Sequence, residues 1–232
     1  MNIALLGYGR MGKTIAGIAE NRGHKIIRRI DKDETYDLKS VDVAINFSVP
    51  EAAVNNISSC LEAGVPVVSG TTGWLKDYDK MVALCQEKKG AFLYASNFSV
   101  GVNIFFELNK NLAKMMKNLP DYDVNLEEIH HIHKLDAPSG TAITLAEGII
   151  ENSDKNEWIL DKKEEGKITI NSVREGEVPG THIINYTSNV DQIKIEHKAN
   201  SREGFALGAV IAAEWLVDKK GVFSMRDVLN LN

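Results

Sequence analysis

Three of the chain's six histidines, His130, His131 and His133, fall within four positions, and Lys134 follows directly in the run EEIHHIHKLDAPSGTA over 127–142. Imidazole exchanges protons near neutrality and an ammonium anchors anions, so this run could protonate a bound acid. On a strand, alternation sends Ile129, His131 and His133 to one face and Glu128, His130 and Ile132 to the other. His-x-His on a strand is also common zinc-ligand spacing. No third ligand is evident and Lys134 would repel a cation, so no metal is expected. Downstream, Pro138 sets the entry to a helix with Ser139 as its N-cap, ahead of Gly140 and Thr141. Free N–H groups at a helix start, hydroxyls, a histidine and a lysine together make a pocket for a carboxylate. Ser139 and Thr141 read equally well as plain helix caps, the usual fate of such residues.

A second group of residues could hold a nucleotide. Gly7-Tyr8-Gly9-Arg10-Met11-Gly12 is G-x-G-x-x-G between an apolar run and a helical pattern. The glycines would supply a tight turn, close approach to pyrophosphate and close helix–strand packing. The helix start would add N–H donors and a positive dipole end. Glycine-rich turns also occur without any ligand. Here an acid, Asp31, lies 19 residues beyond Gly12, where a second strand ends. Asp31 would accept from ribose hydroxyls and favour NADH, while Lys32 or Arg10 could hold the extra phosphate of NADPH. Two more turns end strands on the same edge: Gly70-Thr71-Thr72-Gly73, and Ala95-Ser96-Asn97-Phe98 leading to Ser99. Their small and hydroxylated residues would let backbone approach a nicotinamide and its ribose, and an ordinary turn would look the same.

The elements that must position these residues follow from periodicity. Apolar runs at 2–6, 25–30, 41–47, 65–68 and 91–94 alternate with helical patterns at 10–21, 50–61 and 75–87, which predicts a doubly wound parallel sheet. Beyond Gly101 the pattern changes. A helix is expected over 105–119, a strand over 123–131, a helix over 141–151 and a charged loop over 152–166. Strands at 167–173, 181–187 and 192–198 follow one another without helices, then helices return at 203–216 and 225–229. The expected fold is α/β: a Rossmann-like domain over 1–99 and 205–232, and a smaller α+β domain with a mixed sheet over 100–204.

Composition narrows the class. The 232 residues are 44% hydrophobic and 25% charged, with a net charge of −5, which gives no broad footprint for nucleic acid or anionic lipid. Cys60 and Cys85 have no paired spacing that suggests a disulfide framework or a thiolate metal site. With no signal-like leader and no run of about 18 apolar residues, a cytoplasmic protein without membrane partners is expected.

The run EIHHIHKLDAPSGTA resembles the signature of the dihydrodipicolinate reductases. GYGRMG, GTTGW, SNFSVGVN, VREGEVPGTH and FSMRDVL are similar to that family in the same order, so the resemblance covers essentially the whole chain. It implies an NADH- or NADPH-dependent reductase of diaminopimelate and lysine biosynthesis acting on a small cyclic dicarboxylate. It implies His130 and Lys134 as catalytic acids, with His131 and the Gly140-Thr141 turn holding the substrate carboxylates. It also implies a homotetramer built through the second domain, and last helices that return to the first. Two departures stand out: Ile132 where many members carry arginine, and a short connection between Asp31 and Val41. Two rivals remain, another two-domain nicotinamide dehydrogenase acting on an amino-acid-derived acid and a non-catalytic NAD(H) sensor. The histidine–lysine run argues against both.

Overall fold

An unbroken apolar run makes β1 (Asn2–Leu6) a strand buried on both faces, with Ile3 and Leu5 feeding one core and Ala4 and Leu6 another. The computed structural model describes residues 1–31, 36–201 and 203–231. After β1 come α1 (Arg10–Asn21), β2 (Lys25–Ile30), β3 (Val43–Asn46), α2 (Pro50–Glu62) and β4 (Val67–Ser69). A single 3-10 turn at Leu75–Asp77 precedes α3 (Tyr78–Glu87) and β5 (Ala91–Tyr94). Then follow α4 (Val100–Met116), β6 (Asp123–His130), α5 (Gly140–Ile150), β7 (Glu157–Leu160), β8 (Lys167–Arg174), β9 (Thr181–Thr187) and β10 (Gln192–Lys198). The last elements are α6 (Glu203–Leu216), β11 (Gly221–Phe223) and α7 (Met225–Val228).

The chain forms two compact units, Met1–Asn103 with Glu203–Asn232, and Ile104–Arg202. The change of pattern at Gly101 sets the expected boundary at 99/100, and the return of the last helices implied by the resemblance sets the one at 204/205. The units divide instead within α4 and just ahead of α6. In the first unit six strands run parallel in the order β11-β5-β4-β3-β1-β2. Helices α1 and α6 pack on one face, while α2 and α3 supply the core of the other. The order reverses at β1, so the carboxyl ends of β1 and β3 flank the crevice where open α/β sheets bind ligands. This is a Rossmann-like sheet.

The second unit holds a mixed sheet in the order β10-β9-β6-β8-β7, antiparallel on the β9 side of β6 and parallel on the β8 side. Its helices meet one face, where Val124, Leu126, Ile168, Ile170 and Ile184 pack with Phe105, Ala113, Leu145 and Ile149. The opposite face presents Asn125, Glu127, Thr169, Asn171 and Asn185, by alternation along the paired strands.

Several expectations are corrected. The charged segment at 152–166 contains β7, and β11 adds an edge strand to the first sheet. α4 begins at Val100 rather than 105, because Ser99 Oγ accepts from Val102 N at 3.3 Å and caps the turn through Gly101. β6 stops at His130, so the alternation expected to carry His131 and His133 does not extend to them.

Candidate active site

The glycine turn sits at the reversal point of the first sheet. Gly7 has φ +101°, and a Cβ there would lie 2.2 Å from the Phe47 carbonyl oxygen at the end of β3. A Cβ on Gly12 would lie 2.2 Å from Gly7 O, so the third glycine lets α1 start hard against the turn. At Gly9, the N-cap of α1, a Cβ would meet nothing within 4 Å. Two glycines are therefore needed for packing, and the middle one faces open space. Arg10 is exposed, Met11 is half-buried, and Tyr8 carries Arg29 over its ring at 5.7 Å.

Phe47, which sequence reading did not single out, joins this turn to the next. A Cβ on Gly70 would come within 2.2 Å of the Phe47 ring, and Phe47 packs on Phe98 at 5.5 Å. Thr71 is buried, accepting from Ser48 N at 2.9 Å while its carbonyl accepts from Trp74 Nε1 at 2.7 Å. Thr72 is exposed. Ala95 N donates to Ser69 O at 3.3 Å, Ser96 is exposed, and Asn97 Oδ1 accepts from Ser99 N at 2.9 Å. Gly7, Phe47, Gly70 and Phe98 thus gather the three predicted nucleotide turns along one sheet edge. Asp31 is exposed directly after β2, and Lys32 lies outside the described residues.

In the second unit β6 has the parity expected of it. Val124, Leu126, Glu128 and His130 are buried, so the acid and the histidine continue an apolar face. Register then supplies partners. Glu128 pairs across to His182 on β9 and to Ser172 on β8, and His130 pairs to Arg174. Both carboxylate oxygens of Glu128 lie 3.1 Å from Ser139 N, and Oε1 lies 2.6 Å from Ser172 Oγ and 3.3 Å from Arg174 Nη2. His130 Nδ1 is 3.5 Å and His182 Nε2 3.8 Å from Oε2. The two imidazoles meet edge-on at 5.1 Å. Glu128, Ser172, Arg174 and His182 were missed at the sequence level, although a polar residue at an apolar-parity strand position signals a buried partnership.

Burial alone would raise the Glu128 carboxyl. Hydrogen bonds from Ser139 and Ser172, with His130 nearby, outweigh it and hold the group below the usual carboxylate range. Burial lowers His130, and the charges of Lys134 and Arg174 and the neighbouring His131 lower it further, against the pull of Glu128. Glu128, His130 and His182 also place ligand atoms within 4.8 Å of one another, a spacing a cation could use. The Arg174 guanidinium already serves this carboxylate as counter-charge, and Lys134 adds a second positive group nearby.

Lys134 Nζ bonds both Asp136 oxygens at 2.8 Å. His131 is half-buried, whereas His133 is exposed and pairs with Glu177 at 3.3 Å. Ile132 is 60% exposed, so an arginine there would add charge at the surface of the connection. Ser139 caps α5, its Oγ accepting from Ala142 N at 3.2 Å and its carbonyl from Ile143 N at 3.0 Å. Among the described residues the N–H groups of Gly140 and Thr141 have no protein partner. A Cβ on Gly140 would meet nothing within 4 Å. Two free donors at a helix start with open space beside them are the donor set an anion would use.

Known proteins match this chain over nearly its full length. A family model described as dihydrodipicolinate reductase, N-terminus, matches residues 1–98, and one described as dihydrodipicolinate reductase, C-terminus, matches residues 101–229. The 4-hydroxy-tetrahydrodipicolinate reductase of Christiangramia forsetii is 59% identical, over 99% of this chain and 98% of its own. The protein of that name from Psychrobacter arcticus is 37% identical over 96% of this chain and 84% of its own. A dipicolinate-bound dihydrodipicolinate reductase from Paenisporosarcina sp. TG-14 shares the fold, with TM-score 0.80 and 23% identity over 97% of each chain. With both halves matched and such close relatives over nearly its full length, the chain belongs to the dihydrodipicolinate reductase family.

Proposed function

We propose that this chain reduces 4-hydroxy-tetrahydrodipicolinate to tetrahydrodipicolinate with NADH or NADPH, a step of diaminopimelate and lysine biosynthesis. The observation that carries the reading is the joining of a proton-carrying imidazole to an anion-binding helix start: the carboxylate beside His130 also accepts from Ser139 N. Gly7, Tyr8, Gly9, Arg10, Met11 and Gly12 would hold the pyrophosphate, Asp31 the adenosine ribose, and Gly70, Thr71, Thr72, Ala95, Ser96, Asn97 and Phe98 the nicotinamide side. The open space at Gly9 beneath the start of α1 fits that group. When bound, the nicotinamide supplies hydride to the ring carbon that loses its hydroxyl.

The chain's own residues have separate tasks. Gly140 and Thr141 hold one carboxylate of the substrate by backbone N–H groups, and His131 holds the other. Lys134 leaves Asp136 for the dianion, which neutralises the positive charge around His130. That raises the proton affinity of a ring that burial keeps neutral at rest, so His130 can take up and deliver the proton completing reduction. The substrate is thus a small-molecule dicarboxylate, the class of the dipicolinate bound in the Paenisporosarcina protein. Among the described residues no helix is long and apolar enough to cross a membrane. On this reading the enzyme is a cytoplasmic homotetramer, with the face of the mixed sheet that presents Asn125, Asn171 and Asn185 as the assembly surface.

Positioned acid catalysis supplies about 10²–10⁴-fold in rate. His130→Ala and Lys134→Ala are each expected to lose turnover on that scale while NADH still binds, as nucleotide fluorescence would report. Near-normal turnover in both would overturn the assignment.

A further inference from the structure

Beyond linking His130 to the helix start, Glu128 has no task in the proposed reaction, yet its carboxylate gathers groups from β6, β8, β9 and the start of α5. It is fully buried, and Ser139 N, Ser172 Oγ and Arg174 Nη2 converge on it at 3.1, 2.6 and 3.3 Å. Ser139 is the cap that presents Gly140 and Thr141. Arg174 reaches beyond Glu128 to the carbonyl oxygens of Lys134, at 3.3 Å, and Asp136, at 2.6 Å. The connection bearing His131 and Lys134 is therefore tied to the same carboxylate as the helix start. His130 follows two residues along the strand, its buried Nδ1 lacking a hydrogen-bond partner and lying 3.5 Å from Glu128 Oε2.

Taking His130 as the proton donor proposed above, we infer that Glu128 is the positioning residue of this centre: one buried anion that sets the α5 start, the Lys134 connection and the His130 ring in fixed register and keeps that ring able to carry a proton. Arg174 from β8, Lys134 and His131 from the connection, and His182 from β9 face His130, and Glu128 is the acid among them. The cationic and imidazole neighbours and the loss of water all disfavour the charged ring. The carboxylate opposes them and stays ionised because two hydroxyl-bearing residues and a guanidinium serve it.

The test is a pH–rate series with wild type, Glu128→Gln, Glu128→Asp and His130→Ala. Glutamine keeps the size and can still accept from Ser139 N, but removes the charge. Activity that needs protonated His130 declines as pH rises through that group's value in the substrate complex. With the anion gone, the declining limb of kcat should move down by about one pH unit or more, with kcat reduced at least about tenfold and NADH affinity unchanged. Glu128→Asp should return the limb toward its wild-type position. A folded Glu128→Gln variant with an unshifted limb overturns the inference, whatever its kcat, because a merely structural role would not set that limb. Should Glu128→Gln not fold, long-range 1H–15N spectra of the wild-type protein decide. With His130 assigned by its loss in His130→Ala, the neutral ring must carry its proton on Nδ1, toward Glu128; a proton on Nε2 overturns the inference. Near-normal turnover in His130→Ala removes the catalytic reading and the inference together. An inactive His130→Ala beside an unshifted Glu128→Gln removes the inference alone.

Discussion

Across the sheet from Glu128, His182 lies 5% exposed between groups that pull its proton affinity in opposite directions. Burial pushes its imidazole down to about 3, helped by His130, His197 and Lys134 and opposed by Glu128. The unfolded chain protonates a histidine near 6.5, so between about 6.5 and about 3 the unfolded state binds the extra proton. Stability from neutral His182 is thus complete above about 6.5 and is lost as pH falls through that window. Glu128, held below the usual range, adds a loss that begins lower, as its own carboxyl protonates. Urea denaturation from pH 7 to pH 4 should show a steep decline in wild type and a shallower one in His182→Gln. Equal slopes would show that His182 is not buried neutral. The residue scale was only half legible in the sequence. His130, His131 and Lys134 announced themselves by crowding. Arg174 and His182 belong to the run VREGEVPGTH, which carries resemblance but no crowding of histidines, and only cross-strand register brings them to Glu128.

At the scale of elements, α5 is held from both ends of Ser139: its amide serves Glu128 and its hydroxyl serves Ala142 N. Ser139→Ala should cost about 1 kcal/mol in urea denaturation, the ordinary worth of an N-cap. It should also raise KM for the dicarboxylate while leaving that for NADH alone, because the free donors it organises belong to the substrate turn. Gly70→Ala makes the complementary prediction for the first unit. Its methyl would force Phe47 out from between the turns, so NADH affinity should drop at least about tenfold in a fluorescence titration, with substrate contacts untouched. An unchanged affinity would free Phe47 and Gly70 from the nucleotide site. Elements with a sustained apolar run or apolar helical spacing, such as β1, α1 and α6, were readable because that signal and burial agree along their length. β7 and β11 were not. β7 is four residues, EWIL, inside a charged stretch, and β11 is three, too short for any period. Each becomes a strand only through parallel pairing, with β8 and β5 respectively, which is tertiary information.

At the scale of the molecule, α4 and α5 pack on one face of the mixed sheet, and the other face presents Asn125, Glu127, Asn171 and Asn185. In the homotetramer proposed above, this face would meet a second copy of the same sheet, since identical faces meet by symmetry. Sedimentation should therefore give four times the 25.6 kDa of one chain, and Asn185→Arg at the middle of the face should yield smaller species. A wild-type monomer would contradict that. The order of strands and helices made the two-part α/β plan legible before any coordinates, whereas assembly leaves no periodic signal in one chain. The central claim is the reaction itself, and a coupled assay tests it most directly: a synthase generates the unstable cyclic substrate in place while absorbance follows NADH and NADPH separately. Substrate-dependent oxidation is expected, with NADH used at least as fast as NADPH because Asp31 directly follows β2. No oxidation of either nucleotide, with binding intact, would contradict it.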